Sequence, residues 1–461
     1  MTNPEKNYSF LKTYIKGEAL IGFWNIISKG LGGISSILII ANLDVYKYGV
    51  FLLVISFYSL IADLFLGTLV GLVFNDINRF IGEKKEEKAK KLFKEFFIIR
   101  GIIAIILFLS VFFGADLVAN FYGQDIAILF KILSPLFIID FFYVSMRNLL
   151  QSRLYFGLTS FRPILYKAVR LIFILSFVFF FVLDAKNLLI AHVVSSFLVT
   201  VVFVSPFIKA YKPWKTIKES SDKIFLNIIK TYGKWPIFSN FLSQASSNIQ
   251  PWFIRFFVNT EAVAVFSVAE SLFSAVKALF PVATLSTLIP REVSSKKRIG
   301  DLLIRGTKYL TIFGILLGIV GFFAVPPMVK IFFPSYESSI PLFKVLLLLL
   351  PIMSFRSLSS TFLVALRRQK FIFFSNIFKN VLSFILPALF LYLFGVLGLA
   401  IERIIFSIII GGLMYVYLLK KEVHPSFWAG LFSFNEQDKV FVKNLYQRSI
   451  SFAKKSIFPG C

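Results

Sequence analysis

Long apolar stretches with cations gathered in every second gap constrain this chain more than any other feature. About three quarters of its 50 Lys and Arg residues lie in alternate gaps or at the helix ends beside them. Because Lys and Arg are retained on the cytoplasmic side of a membrane, the pattern predicts an even number of crossings and two cytoplasmic termini. The remaining gaps together hold only Lys47, Lys131, Lys186, Arg255, Lys330 and Lys344.

A membrane-spanning helix needs roughly 20 mostly apolar residues, and the apolar stretches have this length. The chain has 461 residues, of which 57% are hydrophobic. We therefore predict an all-α, polytopic membrane protein with about twelve transmembrane helices. The predicted spans are 17–41, 49–73, 96–119, 126–150, 163–184, 187–208, 234–258, 262–288, 308–332, 341–365, 371–394 and 396–419.

The formal net charge of +26 could indicate a nucleic-acid-binding protein. Here the basic residues are dispersed along one membrane face, which suits anionic lipid headgroups instead, so no nucleic-acid partner is predicted. Cys461 is the single cysteine, which excludes a disulfide framework and a cysteine metal cluster. His192 and His424 show no ligand spacing. No metal or cofactor is predicted beyond a transported proton or Na⁺.

Short similarities between the two halves indicate a duplication. Leu129–Leu133 resembles Leu342–Leu346, with an offset of 213 residues between Lys131 and Lys344. Two six-helix bundles that enter from the same side would be related by a pseudo-two-fold axis along the membrane normal. The predicted bundles are 1–210 and 234–419, joined by a cytoplasmic linker at 211–233. Residues 420–461 form a basic cytoplasmic tail, either a surface helix or a weakly ordered segment.

Eight cations fall inside the apolar segments. A Lys or Arg at a helix centre costs roughly 2.5–3.5 kcal/mol, so these side chains must pair with acids or face a wet cavity. Arg100 and Arg147 lie near cytoplasmic ends, where long side chains can reach the interface, and Arg403 follows Glu402 and can be paired. The residues that we predict to line a substrate-binding cationic cavity are Lys29, Arg147, Arg170, Lys277, Arg356 and Lys379.

Acidic and amide side chains complete the set of candidate residues. We predict ion coupling at Asp63, Asp140 and Glu270. Asp63 has no neighbouring cation, and a lone buried carboxylate has a raised proton affinity. A salt bridge from Asp63 to Lys29 or Lys277 is the equally strong alternative. Three amides before Pro251 are candidate contacts for sugar hydroxyls: Gln244, Asn248 and Gln250.

The chain lacks the signatures of common enzymes, since it has no phosphate-binding Gly-rich loop, nucleophile elbow or paired His ligands. We therefore predict that the protein is not an enzyme.

The opening of the chain carries a resemblance to a known family. Lys16-Gly17-Glu18-Ala19 leads into Gly22. The turn between the first two predicted spans lies within Ile40–Phe51, which contains Lys47-Tyr48-Gly49. These stretches resemble polysaccharide repeat-unit (Wzx-type O-antigen) flippases of the multidrug/oligosaccharidyl-lipid/polysaccharide exporter superfamily. Asp44 and Val45 stand where that family has Gly-Pro in the turn.

The resemblance implies two six-helix bundles that rock between inward-open and outward-open states. It also implies a substrate, an oligosaccharide linked to undecaprenyl pyrophosphate, which is flipped to the outer leaflet of the bacterial inner membrane during O-antigen (lipopolysaccharide) or other polysaccharide biosynthesis. Membrane lipids, a polysaccharide polymerase and a chain-length regulator are the expected partners. Two alternatives stay open: a cation-coupled multidrug exporter of the same fold, and a membrane polysaccharide polymerase.

Overall fold

The computed structural model describes residues 24, 27–67, 69–122, 124–230, 234–280 and 296–423. Within these ranges the chain is helical and contains no strand, so the predicted all-α class is confirmed. Seven of the described helices are long and apolar enough to cross a membrane, or eight when one bent pair counts as a span. The chain is thus a multi-pass membrane protein. The twelve-helix count, the two symmetric bundles and the cytoplasmic termini stay predictions.

The structure separates into two compact units. The first comprises Met1–Val268 and Val329–Ser339. A π-helical turn at Asp63–Gly67 interrupts its second span. Its helices are α1 (Ile27–Asn42), α2 (Val45–Ala62), α3 (Val70–Gly82), α4 (Glu86–Tyr122), α5 (Gln124–Leu133), α6 (Leu136–Ser152), α7 (Phe156–Phe180), α8 (Ala185–Val202), α9 (Val204–Lys215), α10 (Ile224–Ile228), α11 (Lys234–Asn248), α12 (Gln250–Phe257) and the start of α13 (Thr260–Lys277).

The second unit comprises Ala269–Met328 and Ile340–Cys461. It holds the rest of α13, most of α14 (Lys296–Phe332), α15 (Ser339–Leu347), α16 (Leu349–Ala365) and the helical stretch Gln369–Glu422. At 54 residues that stretch would be about 80 Å long if it were straight. It is broken at Gly395, whose φ of 58° is non-helical, into α17 (369–394) and α18 (396–422).

Two glycines make the break between α17 and α18 possible. Gly395 takes a positive φ that L-residues rarely adopt. At Gly398 a Cβ atom would lie 2.0 Å from the Phe390 carbonyl oxygen, so a side chain there would force the two helices apart. The sequence offers only these glycines as a signal between the last two predicted spans.

Matching turns support the predicted duplication. Leu154 after α6 and Arg367 after α16 both have a positive φ, 64° and 55°, and they are 213 residues apart, the same offset as Lys131 and Lys344. In each turn an N–H reaches back to a carbonyl near the helix end: Tyr155 to Leu150 and Arg368 to Leu363. The long helices α4 and α14 also have equal lengths, 37 residues each.

Part of the predicted linker is packed against the first unit. Trp214 is fully buried, and its indole N–H donates a hydrogen bond to Glu86 at the start of α4. Arg153 donates two hydrogen bonds to the same carboxylate, at 2.8 and 2.9 Å, and its guanidinium lies 5.1 Å from the centroid of the Trp214 ring. Phe225 packs in the same apolar cluster. The segment is therefore held on α4 by both polar and apolar contacts.

The boundaries of the predicted bundles, 1–210 and 234–419, stay predictions. Of the predicted linker, residues 231–233 lie outside the described residues, as do residues 424–461 of the predicted tail and the opening motif around Lys16.

Candidate functional site

One face of α7 gathers polar groups of the first unit. Arg162, Tyr166 and Arg170 follow each other at intervals of four residues and so share a face. The Arg162 guanidinium lies 3.7 Å from the Tyr143 ring centroid, and the Tyr166 hydroxyl lies 2.6 Å from Nδ1 of the half-buried His192. Within the described part of the chain, the buried Nε atoms of Arg162 and Arg170 have no hydrogen-bond partner. Each guanidinium group therefore has one N–H donor that is unsatisfied in this structure.

A cavity of about 190 Å³ lies against this face and is bounded by α1, α2 and α7. Lys167 contributes an ammonium group that donates a 2.9 Å hydrogen bond to the Ser28 carbonyl of α1. A Cβ atom at Gly32 would lie 2.9 Å from that ammonium nitrogen, so the glycine leaves room for it. The polar residues that line the cavity are Ser35, Ser36, Tyr48, Tyr166, Lys167 and Arg170.

Further cations of the first unit lie near this site. Lys29 is exposed and interacts electrostatically with Lys167. The Arg147 guanidinium lies 5.8 Å from the centroid of the Tyr143 ring and within electrostatic range of both Asp140 and Arg100. Lys29 therefore repels Lys167, and Arg147 repels Arg100. An anionic ligand would reduce this repulsion between like charges.

Arg100 has a structural role. It is 3% exposed, so its side chain does not reach the interface. Its Nε donates a 3.1 Å hydrogen bond to the Leu66 carbonyl in the π-helical turn, and an Nη atom lies 3.3 Å from the Ser145 hydroxyl. A π-helical turn disturbs the regular helical hydrogen bonds, and Arg100 satisfies a carbonyl there.

The two predicted coupling acids of the first unit have polar partners. Tyr58 donates a hydrogen bond to Asp140. Asp63 opens the π-helical turn and accepts a 3.2 Å hydrogen bond from Asn248 Nδ2. The Asn248 amide also lies 3.2 Å from the Gln244 carbonyl oxygen. This amide, predicted to contact sugars, is thus engaged with the chain itself, and the sugar-contact roles of Gln244, Asn248 and Gln250 stay predictions.

The second unit contains its own group of charges. Arg403 pairs with Glu270 at 2.6 Å and not with its sequence neighbour Glu402, as α13 and α18 bring the first two together. Lys277 is exposed, whereas Arg356 and Lys379 are partly buried. Arg356 lies within electrostatic range of both lysines, and its guanidinium is 5.6 Å from the Phe406 ring centroid.

The predicted cations and acids differ in their pairing. Each predicted acid has a partner: Tyr58 for Asp140, Asn248 for Asp63 and Arg403 for Glu270. Across the described ranges, no ion pair forms at any of the six predicted cations, Lys29, Arg147, Arg170, Lys277, Arg356 and Lys379. Each unit therefore carries an excess of uncompensated positive charge.

Sequence reasoning missed four members of the site in the first unit. Arg162 and Lys167 lie near the predicted cytoplasmic end of their span, so their charge looked like part of the topology signal. Tyr58 and Tyr166 looked like ordinary apolar-segment residues. The four-residue spacing of Arg162, Tyr166 and Arg170 was a usable signal, because it places both guanidinium groups on one helix face.

Residues 43–298, more than half of the chain, match the model of a family described as polysaccharide biosynthesis proteins. The chain belongs to this family. No curated protein sequence gives a significant match. Membership indicates a process and not yet a substrate or a step.

Solved structures of membrane transporters resemble this member of the polysaccharide biosynthesis family. The inward closed conformation of the lipid II flippase MurJ superposes with a TM-score of 0.69 at 17% identity, covering 95% of this chain and 99% of that one. An inward-facing multidrug resistance MATE transporter of the MOP superfamily gives 0.67 at 14% identity, covering 84% and 93%. At these identities the likeness shows the fold alone, which is that of MOP-superfamily transporters.

A third similar structure concerns the charge of a binding pocket. It is a MOP-superfamily transporter from Pyrococcus furiosus described by the reverse polarity of its binding pocket, with a TM-score of 0.52 at 15% identity over 88% of this chain and 94% of that one. The fold is therefore found with pockets of more than one polarity, and the polarity of each chain must be judged from its own residues.

Proposed function

We propose that the chain is a flippase that moves an undecaprenyl-pyrophosphate-linked oligosaccharide, the repeat unit of O-antigen or another surface polysaccharide. Transport runs from the cytoplasmic to the outer leaflet of the bacterial inner membrane by alternating access. Membership of the polysaccharide biosynthesis family and a fold shared with a lipid II flippase both support this proposal.

The observation that carries the proposal is the unpaired positive charge in each unit. The proposed substrate bears a diphosphate. Moving this charged group through hydrocarbon without a protein has a prohibitive free-energy cost. Arg170 and Arg356 lie deep in their helices without a carboxylate partner in the part of the chain that the structure describes. In a low-dielectric site their attraction for a phosphate is much stronger than in water, and guanidinium groups can bind phosphate with two parallel hydrogen bonds.

The pairing of the acids argues against an exporter of organic cations. A cationic passenger requires an available carboxylate, whereas Asp140 accepts from Tyr58 and Glu270 pairs with Arg403. The same acids can serve in coupling. Protonation or Na⁺ binding at Asp63, Asp140 or Glu270 would change these pairings and so change which conformation is favoured.

The lipid tail and the partners follow from this assignment. The polyprenyl tail stays in the bilayer while the headgroup crosses, so a membrane lipid surrounds the protein at every step. A polysaccharide polymerase and a chain-length regulator would use the flipped product. Catalysis has no part in the proposal, because flipping makes and breaks no covalent bond.

The test is genetic complementation in a strain that lacks its own repeat-unit flippase and displays a polysaccharide of known structure. We expect the wild-type chain to restore surface polysaccharide, and Arg170→Gln, Arg356→Gln and Lys277→Ala to be inserted at normal levels but to restore little. Lys186→Gln, outside the candidate site, is the matched control. If Lys277→Ala, Lys29→Ala and both arginine variants each restore the polysaccharide fully, the cationic site is wrong. If a strain that lacks this protein is sensitive to drugs but has no polysaccharide defect, the protein is a multidrug exporter.

A further inference from the structure

An apolar groove lies between α14 and the bent pair α15 and α16 in the second unit. Its volume is about 430 Å³, more than twice that of the polar cavity in the first unit. Most of its wall is apolar and open, and Phe323, for example, is 71% exposed. The lining residues are Gly314, Ile315, Gly318, Ile319, Phe322, Phe323, Lys344, Val345, Leu347, Leu348 and Pro351.

The helix geometry explains why the groove exists. At one end the helices touch, since a Cβ atom at Gly314 would lie 2.8 Å from the Leu350 carbonyl carbon. The chain then bends by 46° between α15 and α16. Glycines of α14 leave space beside Leu347 at the end of α15, since a Cβ atom at Gly318 would lie 3.8 Å from the Leu347 carbonyl oxygen and one at Gly321 3.2 Å from its Cδ2. From Gly314 to Phe323 the groove follows α14 for about 14 Å. This is close to half of the roughly 30 Å hydrocarbon thickness, the depth of one leaflet.

A single cation stands at the far end of the groove. The Lys344 ammonium lies 4.3 Å from the centroid of the Phe322 ring. No carboxylate pairs with it in the described ranges, and Glu337, the acid nearest in sequence before it, pairs with Lys330 at 3.0 Å.

The equivalent lysine in the first half has an acidic partner that Lys344 lacks. Its counterpart Lys131 pairs with Asp116 of α4, at 2.7 Å. By the offset of 213 residues that relates Lys131 to Lys344, the position of Asp116 in α4 corresponds to Val329 in α14. Valine stands where the first half has the acid, so within the described ranges Lys344 has no carboxylate partner at the place where the groove ends.

We propose that this groove binds an anionic phospholipid, with one acyl chain between α14 and α15 and the phosphate at Lys344. The three features match one lipid leaflet in order: an apolar channel of leaflet depth, an aromatic ring near its end and an unpaired ammonium beyond the ring. A Lys near the membrane surface contributes to binding of an anionic headgroup. The site is separate from the candidate transport site and does not depend on the proposed function.

Native mass spectrometry of the full-length protein tests the headgroup, with phosphatidylglycerol and phosphatidylethanolamine as probes. We expect wild-type protein to retain phosphatidylglycerol preferentially, and Lys344→Gln to reduce its affinity roughly fivefold without changing that of phosphatidylethanolamine. Lys131→Gln is the matched control and is expected to leave both affinities unchanged. An unchanged preference in Lys344→Gln, or an equal loss in Lys131→Gln, overturns the proposal.

Filling the groove tests the acyl chain. Ile319→Trp places a large side chain in the channel and should lower phosphatidylglycerol binding even with Lys344 intact. Val320→Trp changes the next residue, which is also exposed but does not line the groove, and should bind as wild type does. If undecaprenyl monophosphate displaces phosphatidylglycerol at equimolar concentration, the groove selects a polyprenyl chain and the phospholipid assignment is wrong.

Discussion

The Glu86 carboxylate is expected to be a major stabiliser of the first unit. It accepts two hydrogen bonds from Arg153, at 2.8 and 2.9 Å, and one from the buried Trp214 indole. The Arg153 side chain is only 17% exposed and that of Glu86 28%, so water screens the pair weakly. Glu86→Gln keeps the volume but removes the charge.

The expected cost of Glu86→Gln is about 1.5–3 kcal/mol, the range for a hydrogen-bonded contact to a charged group. Trp214→Ala should cost about 3–5 kcal/mol, because it empties a fully buried site. Thermal unfolding of the full-length protein in detergent, followed by size-exclusion fluorescence, measures both. The double variant Glu86→Gln/Arg153→Gln should cost clearly less than the sum of the single variants.

A matched control comes from the neighbouring exposed pair Lys85–Glu83, at 2.7 Å with both side chains more than 40% exposed. Lys85→Gln should leave the free energy of unfolding nearly unchanged, because water screens an exposed ion pair. If Glu86→Gln is as harmless as this control, or if the double variant is additive, the linker segment is not held by this carboxylate and the reasoning fails.

Three other predictions concern the backbone and the linker. Leu154→Gly should raise the free energy of unfolding by about 0.5–1 kcal/mol, because glycine adopts a positive φ without strain. The Leu154 side chain is 68% exposed and packs little, so little packing is lost. A thermal-unfolding experiment that shows no gain in stability would contradict this prediction. Gly49→Ala should strongly reduce folded yield, since its Cβ would lie 2.2 Å from the Thr260 carbonyl oxygen, while Gly71→Ala, which has open space, should not. The Lys94 ammonium, which donates a hydrogen bond to Glu219, holds the pKa of that carboxyl below its usual range, and Lys88 does the same for Asp222. These contacts are thus present at neutral pH and are lost as the pH falls through the lowered pKa values of the two carboxyls. The rate of amide hydrogen exchange around residues 217–223 should therefore rise on acidification. In the variant Glu219→Gln/Asp222→Asn this rate should not respond to acidification.

The all-α, multi-pass membrane class was the part of the fold most open to prediction from sequence. Apolar length and the distribution of cations report directly on the bilayer, so the all-α membrane class followed from pattern alone. The π-helical turn at Asp63 and the packing of Trp214 against Glu86 depend on contacts between residues more than 30 positions apart, as in the hydrogen bond from Arg100 to Leu66. No local pattern encodes such contacts.

The positive charge of the candidate site was predictable from the sequence, but which cations form ion pairs with acids was not. Lone cations in apolar segments identified Arg170 and Arg356, since such residues are costly unless they are used. Whether an acid accompanies them depends on tertiary packing, as the Arg403–Glu270 pair shows. Lys167 was missed because a cation near a helix end has the same sequence signature whether it reaches solvent or turns inward to the Ser28 carbonyl.

The most direct test of the central claim is the flipping rate of a polyprenyl-diphosphate-linked sugar in proteoliposomes. We predict that the wild-type protein flips this lipid and that Arg170→Gln and Arg356→Gln each slow it at least about tenfold, the loss of one charge-assisted contact of about 1.4 kcal/mol or more, while both variants remain folded. Wild-type rates in both variants, or equal flipping of a neutral polyprenyl-linked sugar, would contradict the claim that unpaired cations serve an anionic passenger.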